Sequence, residues 1–232
     1  MLKHIICSFS LWLLTACSNQ QTFKVEIFPS LDLAESEPIE KELGKAFEDS
    51  FDVTLIGKNR IVTVKNCNDF LRLPDKGFDV DDGADWNTLS SRGIRCSALK
   101  WLKTAQSAKK SFFRSKPITA DFWKQLPPFM AISTSSEDKQ RVAKATDDCV
   151  SWNTFDDSLK VASRKDRTFQ LIGDGWLGRV SLYAMGDFNS DGFDDLLVRR
   201  DGALVGGTLR PMSLFVITKT SDQSCFRLVK KI

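Results

Sequence analysis

The segment GDFNSDGFDD, residues 186 to 195, constrains the fold of this chain more than any other stretch. Oxygen-bearing side chains occupy alternate positions and are followed by Gly192, which permits the tight turn that lets a chain curl around a cation. Carboxylates together with one amide favour Ca²⁺, because this ion accepts many oxygen ligands in flexible geometry. The predicted ligands are Asp187, Asn189, Asp191, the backbone carbonyl of Phe193 and Asp195.

The surroundings of this loop distinguish between two kinds of calcium site. An EF-hand needs a bidentate Glu at the twelfth position, which is Val198 when counting starts at Asp187, and it needs flanking helices where this chain has β-type runs. GDFNSDGFDDLLV is instead similar to the calcium loop of FG-GAP and VCBS-type repeats. The resemblance covers residues 179–219 and implies that the predicted ligands hold Ca²⁺ between two strands of one blade. A full β-propeller is not expected, because it needs about four blades or more and the sequence has one clear loop of this kind.

Hydrophobic spacing predicts an α+β fold, with a mixed region at 22–165 and a β-rich, FG-GAP-like region at 166–232. In the first region we expect a strand, a helix that starts after Pro38, a hairpin and two further helices, at 22–28, 36–51, 51–66, 97–113 and 118–126. In the second region, short β-type runs predict an antiparallel meander, at 169–172, 179–185, 195–200, 213–219 and 225–231.

The N-terminus has the pattern of a secretory signal. Lys3 and His4 precede an uncharged apolar run from Ile5 to Leu14. This run is too short to span a membrane, which favours a cleaved signal peptide over an anchor helix.

The end of this signal, Leu14-Thr15-Ala16-Cys17, resembles the lipobox of bacterial lipoproteins. The resemblance implies that residues 1–16 are removed and that Cys17 is acylated, with a polar tether at 17–21. Ser18 follows the cysteine, whereas lipoproteins retained in the inner membrane commonly carry Asp there. We therefore expect an outer-membrane lipoprotein that faces the periplasm and is held in the lipid by acylated Cys17.

Four further cysteines in an oxidising compartment predict two disulfides, for which three pairings exist. Local pairing closes the smaller loops. It therefore favours Cys67 with Cys96 and Cys149 with Cys225.

The residues available for catalysis are few. The only histidine is His4, so the mature chain would contain none. This excludes a Ser-His-Asp triad, a Cys-His pair and imidazole ligands for zinc. We expect no enzymatic activity and no catalytic residue, and the alternative is a hydrolase that uses two converging carboxylates.

The stretch from Trp86 to Ala120 contains no acidic residue. Such a surface suits lipid phosphates, an anionic glycan or an acidic protein partner, whereas nucleic acid is not expected in the periplasm. The aromatic residues in it either contact the partner or belong to the core. In the second case the lysines lie on the solvent-exposed side of the same elements. The candidate partner-binding residues are Arg92, Arg95, Lys100, Trp101, Lys103, Lys109, Lys110, Arg114 and Lys116.

Taken together, these patterns predict a non-enzymatic, calcium-stabilised lipoprotein of the outer membrane that acts as an envelope binding protein. A sharper version, by analogy with immunity lipoproteins and lysozyme inhibitors, is an immunity protein or inhibitor of a periplasmic cell-wall enzyme. The alternative is a carboxylate-dependent envelope hydrolase.

Overall fold

The computed structural model describes residues 22–33, 38–58, 60–74, 78–80 and 82–232. The predicted signal peptide, the tether and the lipidation site at Cys17 lie outside the described residues. Within them the α-helices are α1 (Ile39–Glu48), α2 (Cys67–Leu71), α3 (Gly83–Thr104), α4 (Ala120–Gln125), α5 (Ser136–Asp147) and α6 (Trp152–Phe155). Short 3-10 helices lie at Pro29–Leu31 and Pro128–Met130. None of the described helices is long and apolar enough to cross a membrane.

The strands form two antiparallel sheets. Those of the small sheet, in the order β3-β2-β4, are β2 (Val53–Gly57), β3 (Ile61–Val64) and β4 (Phe78–Val80). The large sheet has the order β10-β9-β8-β7-β6-β5, and β1 pairs with the end of β7. Its strands are β1 (Glu26–Ile27), β5 (Lys160–Ser163), β6 (Thr168–Gly173), β7 (Trp176–Gly186), β8 (Asp195–Leu204), β9 (Met212–Thr218) and β10 (Arg227–Lys231). The predicted α+β class and the C-terminal meander are confirmed, and the described sheets form no propeller.

Both faces of the large sheet are covered, because successive side chains of a strand point to opposite sides. On one face, Tyr183 and Val216 belong to a core shared with α1, α3 and the small sheet. On the other face, Leu182 and Phe215 belong to a core that includes Trp123 of α4 and Trp152 of α6. Residues from both predicted regions, 22–165 and 166–232, therefore contribute to both cores.

Several local predictions are confirmed. The helix after Pro38 is α1, the hairpin is β2 and β3, and the helix that ends before Pro127 is α4. The first strand is shorter than the predicted 22–28, because only Glu26 and Ile27 pair with β7.

The prediction of a helix at 97–113 is wrong at both ends, because α3 runs from Gly83 to Thr104. The helix starts earlier because the Asp82 carboxylate caps it, accepting the Asp85 amide hydrogen at 2.7 Å. It ends earlier because the backbone from Gln106 onward pairs with the acidic loop in place of continuing the helix. Apolar spacing carries no information about this competing long-range partner.

Candidate metal loop

The acidic loop joins β7, which ends at Gly186, to β8, which starts at Asp195. Both oxygens of the Asp187 carboxylate accept loop amides, Oδ1 from Asp191 N–H at 3.1 Å and Oδ2 from Gly192 N–H at 2.8 Å. The chain can fold back in this way because Gly192 has a φ of 87° and Ser190 a φ of 64°. The glycine predicted to allow the turn therefore occupies the conformation that requires it.

The next two predicted ligands lie in the same loop. Asn189 Oδ1 accepts the Asp191 amide hydrogen at 3.0 Å, and Asn189 Nδ2 donates to Asp191 Oδ2 at 2.9 Å. The other oxygen of Asp191 accepts the Phe193 amide hydrogen at 2.8 Å. The loop is thus drawn together by its own oxygen-bearing side chains.

Asp195 is the predicted ligand with the least usual surroundings. Its side chain is completely buried, and Oδ2 accepts the Phe188 amide hydrogen at 3.0 Å. Oδ1 is buried with no hydrogen-bond partner among the described residues, and so is the Thr218 hydroxyl. A carboxylate oxygen buried in this way lacks the compensation that water would give it.

The burial of Asp195 changes the pKa of its carboxyl. Burial raises the pKa of its carboxyl to about 7, the Thr218 hydroxyl and the Phe188 amide lower it in part, and the nearby Asp191 and Asp187 raise it further. Thr218 is the β9 residue in register with Asp195, and its hydroxyl has no well-formed hydrogen bond among the described residues. The carboxyl therefore releases its proton at a higher pH than an ordinary aspartate does, unless a cation approaches.

The fit of this loop to Ca²⁺ depends on the lone pairs that remain. As the side chains lie, no group of three or more His, Cys, Asp or Glu residues in the described chain is arranged to hold a metal ion. Each carboxylate oxygen has two lone pairs, however, so one accepted amide hydrogen leaves capacity for an ion. A cation at Asp195 would contact a buried carboxylate oxygen that has no hydrogen-bond partner among the described residues.

Segment 106–114 lies against the acidic loop and is joined to it by backbone hydrogen bonds. Gln106 and Asp187 exchange two backbone hydrogen bonds, at 2.9 and 3.0 Å. The Gly192 carbonyl accepts the amide hydrogens of Lys109 and Lys110, at 2.8 and 3.1 Å. The basic segment therefore supports the acidic loop through its backbone.

Arg114 is the cation of this segment whose side chain forms ion pairs with β1 and with the residue that precedes β8. It pairs with Asp194, and its Nη1 lies 3.2 Å from Glu26 Oε2 in β1. Its Nη2 also donates to the Lys24 carbonyl at 2.6 Å. Arg114, a candidate partner-binding residue, is thus committed to internal contacts.

The remaining candidate partner-binding residues do not form one continuous basic face. Arg95 binds Asp49 at 3.0 Å and the Leu31 carbonyl at 3.2 Å, and Arg92 lies over the Phe51 ring. Lys100 and the half-buried Trp101 line a cavity of about 700 Å³ beside β10. The exposed cations of the stretch are Lys100, Lys103, Lys109, Lys110 and Lys116.

The cysteines pair as the local-pairing rule favoured. Cys67 joins Cys96, linking α2 to α3, and Cys149 joins Cys225. Cys67 and Cys96 are buried, whereas Cys149 is exposed at the end of α5.

The structure also brings together carboxylates that the sequence did not connect. Asp138, Asp156, Asp157 and Asp174 line one cavity of about 520 Å³ together with Arg141. The pKa of Asp138 is lowered, chiefly by a hydrogen bond from the Thr134 hydroxyl. These residues lie in two separate loops and one helix, so no spacing in the sequence could have shown their convergence.

No protein-family model, no curated protein and no solved structure matches this chain.

Proposed function

We propose that this chain is a non-enzymatic, calcium-stabilised lipoprotein of the outer membrane that acts as an envelope binding protein. The observation that supports the calcium part is Asp195 Oδ1, a buried carboxylate oxygen that has no hydrogen-bond partner in the described part of the chain and lies near Asp187 and Asp191. The residues that would hold the ion are Asp187, Asn189, Asp191, the Phe193 carbonyl and Asp195.

Calcium would neutralise carboxylates that otherwise repel one another, and its role would be structural. The loop contacts segment 106–114 on one side and continues into β8, at the centre of the large sheet, on the other. Binding would therefore rigidify the junction between α3 and the sheet.

The binding role rests on the exposed lysines around this junction. Lys109 and Lys110 are exposed while their backbones are fixed by the Gly192 carbonyl. A cationic surface held on a rigid support favours an anionic partner, either an acidic periplasmic protein or an anionic glycan. In its more specific form, the proposal is that the protein inhibits a periplasmic cell-wall enzyme. Acylated Cys17 would then keep the inhibitor at the membrane.

A carboxylate-dependent envelope hydrolase is the second candidate, and the Asp-lined cavity is the observation that favours it. A general acid needs a pKa raised toward neutrality. Asp138 is shifted in the opposite direction. The binding role is therefore the better supported of the two.

The calcium part is tested by thermal unfolding of the wild type in calcium and in EDTA. Calcium at about 100 times its dissociation constant should raise the melting temperature by roughly 5–10 °C. The double variant Asp187→Ala, Asp191→Ala should lose this response. Asp147→Ala, Asp222→Ala, which removes two exposed carboxylates outside the loop, should keep it. Identical wild-type curves with and without calcium would refute the proposal.

The binding part is tested with the soluble fragment 18–232 as bait for periplasmic extract. The proposal requires that a captured enzyme, once purified, forms a stoichiometric complex with the fragment and loses activity in it. Turnover of purified cell wall by the fragment alone would instead support the hydrolase.

A further inference from the structure

A second charged site lies on the α1 side of the large sheet, away from the acidic loop. It is a cavity of about 230 Å³ between α3, the turn at Pro29–Leu31 and strands β7 and β8. Its lining includes three arginines and one acidic residue: Arg92, Arg95, Arg199 and Asp32, with Ser91 and Tyr183.

Arg199 lines this cavity, and hydrogen bonds to neighbouring side chains fix the orientation of its guanidinium group. Its Nε donates to Asp201 Oδ1 at 2.7 Å, and its Nη2 donates to Ser91 Oγ at 3.1 Å. Its Nη1 donates to the Tyr183 hydroxyl at 3.3 Å. Because the Tyr183 oxygen accepts this bond, its own hydrogen is left to donate to a ligand.

Arg95 and Arg92 lie one turn apart on α3, with Arg95 close enough to Tyr183 to affect its ionisation. Arg95 is bound by Asp49, yet its Nε is buried with no hydrogen-bond partner in the described chain. Arg92 lies 5.6 Å from the centre of the Phe51 ring and pairs with no carboxylate of the described residues. This leaves donors on both arginines without an acceptor.

The charge balance of the site is positive. Asp49 and Asp201, which pair with Arg95 and Arg199, do not line the cavity. The one acid that does line it, Asp32, is 98% exposed at its side chain and lies 3.9 Å from Arg95. The lining therefore carries more positive than negative charge, with three arginines against the single acid Asp32.

We propose that this cavity, the arginine pocket, binds a small oxyanion of the phosphate type. Guanidinium groups match the geometry of phosphate oxygens and form charge-assisted hydrogen bonds to them. The Tyr183 hydroxyl supplies one neutral donor, and Arg92 supplies a positive charge that no carboxylate of the described residues neutralises. The pocket does not depend on the calcium loop or on lipidation.

The test is calorimetric titration of the wild type with inorganic phosphate, at constant ionic strength and with calcium too low to precipitate the anion. Sulfate serves as a second tetrahedral probe. Saturable binding of either anion is expected, and Arg92→Gln should weaken it about tenfold or more, since a hydrogen bond to a charged group is lost. Arg92 contributes little to the core, so this variant should fold.

The matched control is Arg60→Gln. Arg60 is exposed and lies 5.0 Å from the centre of the Phe78 ring, so the control also removes one charge and one ring contact, but outside the pocket. It should bind phosphate as the wild type does. Tyr183→Phe, which preserves packing, should weaken binding to a lesser degree.

Two sources of the anion are separated by comparing inorganic phosphate with glycerol 3-phosphate. Tighter binding of the ester assigns the pocket to a phosphoryl group on a larger molecule, and equal or weaker binding assigns it to the free ion. Absence of saturable binding at millimolar phosphate and sulfate would overturn the proposal, as would equal losses in Arg92→Gln and Arg60→Gln.

Discussion

Arg114 Nε lies 2.6 Å from Asp194 Oδ2, and none of the Asp194 side chain is exposed. A second bond, from Nη2 to Oδ1 at 3.3 Å, makes the pair bidentate. Asp194 immediately precedes β8, and Arg114 lies in the segment that follows α3. The pair therefore fastens that segment to the strand that leaves the acidic loop.

Replacing Arg114 should destabilise the folded protein. In Arg114→Met the buried Asp194 carboxylate loses its counter-ion, which should lower the free energy of unfolding by about 3–5 kcal/mol. The exposed pair of Arg141 and Asp138, at 3.4 Å, is the control. Arg141→Met should cost far less, because water already solvates both partners of this pair. Urea unfolding measures both, and equal small losses would show that Asp194 is hydrated in solution.

Asp195 should make the calcium-free protein dependent on pH. Its pKa of about 7 in the folded state lies above the ordinary 3.8, so the folded state holds this proton more tightly than the unfolded state does. The stabilisation is therefore complete below about pH 4 and is lost as the pH rises through about 7. In EDTA, the melting temperature should fall over this interval. Calcium binds the ionised carboxylate, so its stabilising effect should grow over the same interval.

The variant that isolates this effect is Asp195→Asn, which keeps the shape and removes the titrating group. In EDTA its melting temperature should change less than that of the wild type between about pH 5 and 8, and it should not respond to calcium. A variant with the pH dependence of the wild type would mean that another group is responsible.

The parts of the fold that were predictable depend on neighbours in the sequence. Strands β6 to β10 follow short β-type runs bounded by turn residues, α1 follows Pro38, and the disulfides follow the shortest loops. The acidic loop was recognisable because its side chains accept hydrogen bonds from amides two to seven positions away in the same loop.

The parts that were missed depend on distant partners. The basic stretch was predicted as one surface, yet Arg114 is paired with Asp194 and Arg95 with Asp49. Such pairs are decided by which strands lie beside α3, and residue spacing does not contain that information. For the same reason the arginine pocket, which combines α3 with Arg199 of β8, had no signal in the sequence.

The predicted location of the protein at the outer membrane is tested at Cys17. The wild type should be found with outer membranes and should incorporate labelled palmitate. Cys17→Ser should remain unacylated, because the thiol that accepts the lipid is absent. The control Cys149→Ser removes a cysteine of the folded domain and should leave acylation unchanged. Recovery of the wild type as a soluble periplasmic protein would disprove the lipobox prediction.

The disulfide between Cys149 and Cys225 lies at the same end of the sheet as the acidic loop. Asp195 is in register with Thr218 of β9, and Thr218 with Arg227 of β10, two residues after Cys225. The other disulfide joins α2 to α3 within the core that the large sheet shares with α1, α3 and the small sheet. Calcium and the Cys149–Cys225 bond therefore restrain neighbouring parts of one structure.

This arrangement predicts that calcium and the Cys149–Cys225 bond are not additive. Bridges across 76 and 29 residues are each worth on the order of 4 kcal/mol in the chain-entropy model, so the two disulfides make a fair comparison. Cys149→Ala, Cys225→Ala should need more calcium to reach a given melting temperature, because β9 and β10 no longer hold Thr218 against Asp195. Cys67→Ala, Cys96→Ala should lower the melting temperature equally at all calcium concentrations, as independent sites do. Melting curves across a calcium series distinguish the two patterns, and parallel shifts in both variants would show that the bond and the loop are uncoupled.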